Sequence, residues 1–129
     1  NVKLLQPRTS KKTTAPKCPT EQQEQFVLAH WLRKNNIPFH HSPNGGRRDP
    51  IEAAKFKRLG TSAGFPDIFI PKPRYGQHGL FLELKRVFGG SLSEPQAMWR
   101  EILISEGYAW DMPRGADEAI AIVKEYLGI

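Results

Sequence analysis

One cysteine, Cys18, stands in the whole chain. An internal disulfide is therefore excluded, and with no second thiol near it a structural zinc site is not expected. Long apolar runs are missing too. None approaches the roughly 20 residues that span a bilayer, and the first residues lack the apolar core of a signal peptide, so the expectation is a cytoplasmic protein with no membrane partner. There are no internal repeats. Acidic residues are absent from residues 1–19, where Lys3, Arg8, Lys11, Lys12 and Lys17 supply +5 of the chain's +6. The remainder, with fourteen basic and thirteen acidic residues, is close to neutral. Pro7, Pro16 and Pro19 lie among Ser, Thr and Lys, so residues 1–19 read as a basic, disordered tail. Such a tail is either a solvated leader or a contact for a polyanion.

What is present fits a single globular domain over residues 20–129, with 25% charged and 39% hydrophobic residues in a chain of 129. Thr20 and Gln23 form a capping box that starts a helix running to about Lys34. Its apolar stripe is Phe26, Val27, Leu28, Trp31 and Leu32, while Glu21 and Gln25 lie one turn apart on a common face. Ile37 to Ser42 reads as a short strand before a Pro-Asn-Gly-Gly turn. Asp49-Pro50-Ile51-Glu52 caps a second helix that stops at Gly60. Ser93-Glu94-Pro95-Gln96 caps a third, with Met98, Trp99, Ile102 and Leu103 turned to the core. Tyr108 to Met112 reads as a last strand. Residues 116–127 form an amphipathic closing helix with Ala119, Ile120, Ile122, Val123 and Leu127.

Two apolar runs lie between these helices, Gly64 to Ile70 and Leu80 to Lys85, and each carries charge where a buried strand should have none. Side chains alternate across a strand, so Phe81, Glu83 and Lys85 share one face and Leu80, Leu82 and Leu84 the other. If the polar loop of residues 71–79 folds the runs into a hairpin, Asp67 lies across from Glu83. Two carboxylates and an ammonium then meet at one sheet end. Carboxylates held together raise each other's pKa unless a positive charge sits between them, and hard oxygen donors suit Mg²⁺ or Mn²⁺. The element order is α-β-α-β-β-α-β-α, which predicts an α/β fold with a mixed central β-sheet flanked by helices.

The spacing Pro-Asp, about fifteen residues, then Glu-x-Lys resembles the PD-(D/E)XK nuclease superfamily and its restriction-endonuclease-like core. The chain is further similar to the VRR-NUC family, the virus-type replication-repair nucleases. That resemblance takes in Thr20-Glu21 with Gln25, His41-Ser42-Pro43-Asn44-Gly45-Gly46, Gly64-Phe65-Pro66-Asp67, Leu82-Glu83-Leu84-Lys85, and Ser93-Glu94-Pro95-Gln96 with Trp99. It implies Asp67, Glu83 and the Leu84 carbonyl as metal ligands and Lys85 as the group that positions the attacking water. It also brings Glu21 and Gln96 toward the catalytic site, although a helix dipole and a capping box would each explain those residues without catalysis. The implied protein is a Mg²⁺- or Mn²⁺-dependent endodeoxyribonuclease of a bacterium or a phage-infected cell. As a homodimer it would cut branched DNA such as four-way (Holliday) junctions in DNA repair. A monomeric flap or replication-fork nuclease and a catalytically silent DNA-binding module remain alternatives. Candidate DNA contacts are His41, Asn44, Arg47 and Arg48 around the first turn, Lys55, Lys57 and Arg58 on the second helix, and Lys72 and Arg74 beside Tyr75 in the hairpin loop.

Overall fold

Among the described residues eight elements follow one another in the expected order: α1 (Glu21–Lys34), β1 (His40–His41), α2 (Pro50–Leu59), β2 (Ile68–Ile70), β3 (Leu80–Leu82), α3 (Glu94–Ser105), β4 (Ala109–Asp111) and α4 (Ala116–Leu127). The computed structural model describes residues 18–43 and 49–129. Residues 1–17 of the expected tail and the loop residues Asn44, Arg47 and Arg48 lie outside them.

Local chemistry sets most of the helix ends. Thr20 and Ser93 each close a capping box, with Gln23 and Gln96 as the reciprocal partners. Asp49 accepts hydrogen bonds from the Ile51 and Glu52 amides and Gly60 ends α2 in the left-handed region. At α4 no side chain of the preceding residue serves as cap. The Ala116 amide instead donates to the Glu24 carboxylate at 3.0 Å, so a residue of α1 satisfies the start of α4.

The strands form one sheet in the order β1-β2-β3-β4, with β3 and β4 parallel and the other two pairings antiparallel. Ile68 pairs with Leu82 and Ile70 with Leu80. Leu28 and Leu32 of α1 and Ala119 and Val123 of α4 share one core cluster with Ile68, Ile70, Leu80, Leu82 and Leu84. Burial of each such Leu or Ile contributes about 1.5–3 kcal/mol relative to exposure. The remaining strand positions carry an aromatic chain: Phe69 stacks on Phe81 at 4.5 Å, and Phe65 meets both Phe81 and Trp99 edge-on. The alternation expected of Leu80 to Lys85 is therefore present.

Several expected details differ. Only His40 and His41 of the first strand pair with β2, while Ile37 is buried among the core residues. The last strand is limited to Ala109–Asp111. Phe26 and Val27 are 68% and 52% exposed, because they sit roughly 200° and 100° around the helix from Leu28. Met98 and Ile102 likewise lie outside the core, at 60% and 41% exposure. Trp99 and Leu103, one position further on, take the inward face of α3. Helical period gives the stripe but not its rotation when apolar residues are adjacent in sequence.

At Gly64 the segment leading into β2 packs tightly against the start of α3. Its φ is +83°, and a Cβ there would fall 2.4 Å from the Pro95 carbonyl carbon. Gly60 also has positive φ but faces open space. Gly64→Ala is expected to destabilise the domain by more than about 2 kcal/mol and Gly60→Ala by about 1 kcal/mol. Thermal melts followed by circular dichroism would resolve the difference at about 4–8 °C per kcal/mol. Equal losses would contradict this account of Gly64.

Candidate active site

The pairing of β2 with β3 carries past the last strand residues and brings Asp67 beside Leu84 and Glu83. The Leu84 amide donates to Asp67 Oδ2 at 2.8 Å, which fixes one carboxylate oxygen on the neighbouring backbone. Glu83 and Lys85 are held from the other side by the end of β4 and the residues that follow it. The Glu83 amide donates to the Asp111 carbonyl and the Lys85 amide to the Pro113 carbonyl, both at 2.9 Å, and Gly115 donates back to the Lys85 carbonyl at 2.8 Å. Backbone bonds thus set the direction of all three ionisable side chains, and all three are buried.

Gln96 joins them. Its Oε1 accepts from Lys85 Nζ at 3.0 Å and from the Ser93 amide at 2.9 Å, while its Nε2 donates to Glu83 Oε2 at 3.0 Å. The capping role and the site role expected as alternatives coexist in one amide, because a side-chain carbonyl has two lone pairs. The bridge leaves Glu83 Oε1 buried without a hydrogen-bond donor among the described residues. The Asp67 carboxyl lies within hydrogen-bonding reach of Glu83, and two carboxylates can share such a contact only through a proton or a cation.

The charges follow from this crowding. Burial, then the charge of Asp67, pushes Glu83 up to about 9. Burial also raises Asp67, opposed chiefly by the Leu84 amide. Glu21, at the start of α1, is raised by burial and by Asp67, so it shares the field of the pair. Glu24 does not take its place, being committed to the start of α4. Among the described residues no third His, Cys, Asp or Glu side chain completes a ligand cluster with the two carboxylates.

Comparison with known proteins decides the family. A solved structure described as a "VRR_NUC domain protein" superposes with a TM-score of 0.77 and 32% sequence identity, over 88% of this chain and 92% of that one. The chain belongs to the VRR-NUC family. Its mixed four-stranded sheet and four helices form the α/β fold of a VRR-NUC nuclease domain. No family model and no curated protein matches the chain.

In this VRR-NUC domain the expected site residues divide into two groups. Glu21, Asp67, Glu83, Leu84, Lys85 and Gln96 converge at one end of β2 and β3. His41 is beside them, with its Nδ1 3.1 Å from the Asp67 carbonyl oxygen, while His40 pairs with Phe69 further along β2. Lys72 and Arg74 are not brought to the site. They lie in the turn joining the opposite ends of β2 and β3, where the Arg74 guanidinium stacks over Tyr75. Lys55, Lys57 and Arg58 are exposed on α2.

Arg114 was not assigned from sequence, and Gln25, quoted there with Glu21, was given no role. Arg114 donates to the carbonyls of Arg86, Gly89 and Gly90 at 2.7–3.2 Å and so fastens the chain that leaves Lys85. Its position past the last strand gave no hint of that reach. Gln25 Nε2 is buried with no hydrogen-bond partner among the described residues, one turn behind Glu21. That i, i+4 spacing was the available signal.

A carboxyl held protonated in the fold stabilises it at low pH and loses that contribution as pH rises through its folded pKa. With Glu83 at about 9 in the fold and near 4.5 when unfolded, metal-free stability should fall across that range. Glu83→Gln should flatten the fall, raising the alkaline melting temperature by about 4 °C or more in EDTA. Melts at stepped pH check this, and parallel curves for the two proteins would contradict it.

Proposed function

We propose that this domain is a Mg²⁺- or Mn²⁺-dependent endodeoxyribonuclease that hydrolyses phosphodiester bonds in branched DNA. The observation that carries the proposal is the convergence of Asp67 and Glu83, buried side by side, with Lys85 joined to Glu83 through Gln96. A divalent cation fits that pair. Glu83 Oε1 is buried with no donor among the described residues, and both carboxyls resist ionisation, chiefly through burial. Asp67, Glu83 and the Leu84 carbonyl would hold it, as hard oxygen donors. When bound it would acidify water and offset charge that builds on the phosphate.

The chain's own residues supply the rest. Lys85 is tethered at its Nζ by Gln96, so its ammonium is placed to neutralise a phosphate oxygen and to align water for in-line attack. Gln96 couples that ammonium to the carboxylate that would receive the cation. Glu21 adds negative charge at the rim, where it can orient a second water. His41 beside Asp67, with the exposed Lys55, Lys57 and Arg58, supports contacts to the DNA backbone. Four-way junctions are the proposed substrate and a homodimer the proposed assembly, because two copies related by a two-fold axis present two sites to two symmetric strands. No helix among the described residues is long and apolar enough to cross a membrane.

Labelled junction, flap and linear duplex incubated with Mg²⁺, Mn²⁺ or EDTA test the proposal. Cleavage should need the cation and favour the junction. Asp67→Ala, Glu83→Ala and Lys85→Ala should each lower the rate by at least about 10²–10³-fold with the fold retained by circular dichroism. Wild-type rates in all three variants, or cutting undiminished by EDTA, would refute it.

A further inference from the structure

Between α2 and α3 runs an open, largely apolar groove of about 850 Å³, in the size range of small-ligand sites. Phe56 and Lys57 of α2 form one wall, Met98 and Trp99 of α3 the other, and Thr61 and Ser62 the floor between them. A second hollow of about 430 Å³ shares Phe56, Thr61, Ser62 and Trp99 and extends toward His40 and Ser42. α2 has no fully buried residue, and Phe56 is its half-buried position.

The groove neighbours the candidate active site, with Pro95 in its lining next to Gln96. Trp99 lies one turn beyond Gln96 on α3, and the floor residues lead through Gly64, packed against Pro95 and Gln96, to Asp67. His40 borders the hollow while its neighbour His41 is beside Asp67. Its charge has one sign. Lys57 lines the groove, and no carboxylate is among its described lining residues, although Glu52 stands exposed with Lys55 and Arg58 elsewhere on the same helix.

We infer that this groove receives an unpaired base of the DNA strand next to the phosphate to be cut, stacked against Trp99 and Phe56. Thr61 and Ser62 offer hydroxyls to the base edge, and Lys57 meets the adjoining phosphate. Every base has a π-face, so stacking of this kind reads single-strandedness and not sequence. The inference rests on the proposed nuclease function and deepens it: discrimination of branched from continuous DNA follows from a place that only an unstacked base can enter.

Anisotropy with fluorescein-labelled DNA in EDTA, where the cation needed for cutting is removed, tests this on the intact protein. Wild type should bind a flapped duplex more tightly than a continuous one. Abasic nucleotides at the branch should remove about 5- to 10-fold of that preference, on the order of one stacked base. Phe56→Ala and Trp99→Leu should bind the flap as weakly as wild type binds its abasic form, with continuous duplex changed less than about twofold, and Trp99→Phe should restore the preference. Equal binding of base-bearing and abasic flaps at every branch position would overturn the inference. So would Phe56→Ala leaving flap binding intact while breaking a dimer in light scattering, which would assign the groove to a second copy. Metal-dependent cutting that ignores the flap bases would remove the groove and keep the nuclease. A base-dependent flap preference without cutting by any cation would do the reverse.

Discussion

Two carboxyl groups forced together in a desolvated sheet end are the constraint from which the site follows. Asp67 and Glu83 flank the ends of two different strands, β2 and β3, and neither can turn away. The Leu84 amide holds Asp67, and Gln96 holds Glu83. Isolated, such a pair is unfavourable, since burial and mutual repulsion both oppose ionisation. The fold carries that cost because Leu80, Leu82 and Leu84 anchor the other face of the same strand in the core. An orphaned acceptor, a raised carboxyl and a tethered ammonium are therefore one feature seen three ways. Local strain of this kind is concentrated at functional sites, which is why it supports a chemical role.

Around the pair, single residues serve both architecture and chemistry. Gln96 closes the capping box of α3 and joins Lys85 to Glu83. Gly64 admits the start of α3 against the strand and thereby sets where Gln96 stands. Arg114 and the backbone at the end of β4 and just after it hold Glu83 and Lys85 in place although neither is a ligand or an acid. Precision at the site comes from backbone hydrogen bonds, and these are less easily perturbed than packing of flexible side chains.

Much of this was legible in the sequence because the deciding interactions are short in range. Thr20 with Gln23, Asp49 with Pro50, and Ser93 with Gln96 are three- or four-residue signals whose physics is complete within the window. Strand alternation placed Glu83 with Lys85 and apart from Leu82 and Leu84, and hairpin pairing placed Asp67 near Glu83. Long-range placement was not legible. Nothing in Glu24 announces that it will satisfy the Ala116 amide. Nothing in Lys72 and Arg74 says that the hairpin points them away from the carboxylates. For Phe26, Val27, Met98 and Ile102, runs of adjacent apolar residues left the helix rotation undetermined, and tertiary packing decided it. The groove beside α2 arises from that rotation, so it too becomes visible only in three dimensions.

The central claim is that Asp67 and Glu83 share one divalent cation, and calorimetric titration of Mn²⁺ into the metal-free protein tests it most directly. A carboxyl protonated at neutral pH must give up its proton when a cation takes its place. Titrations at neutral pH in buffers of different ionisation enthalpy should show one ion bound per chain with release of close to one proton, both lost in Asp67→Asn. Tight binding that persists in Asp67→Asn, or binding with no proton released, would contradict the account.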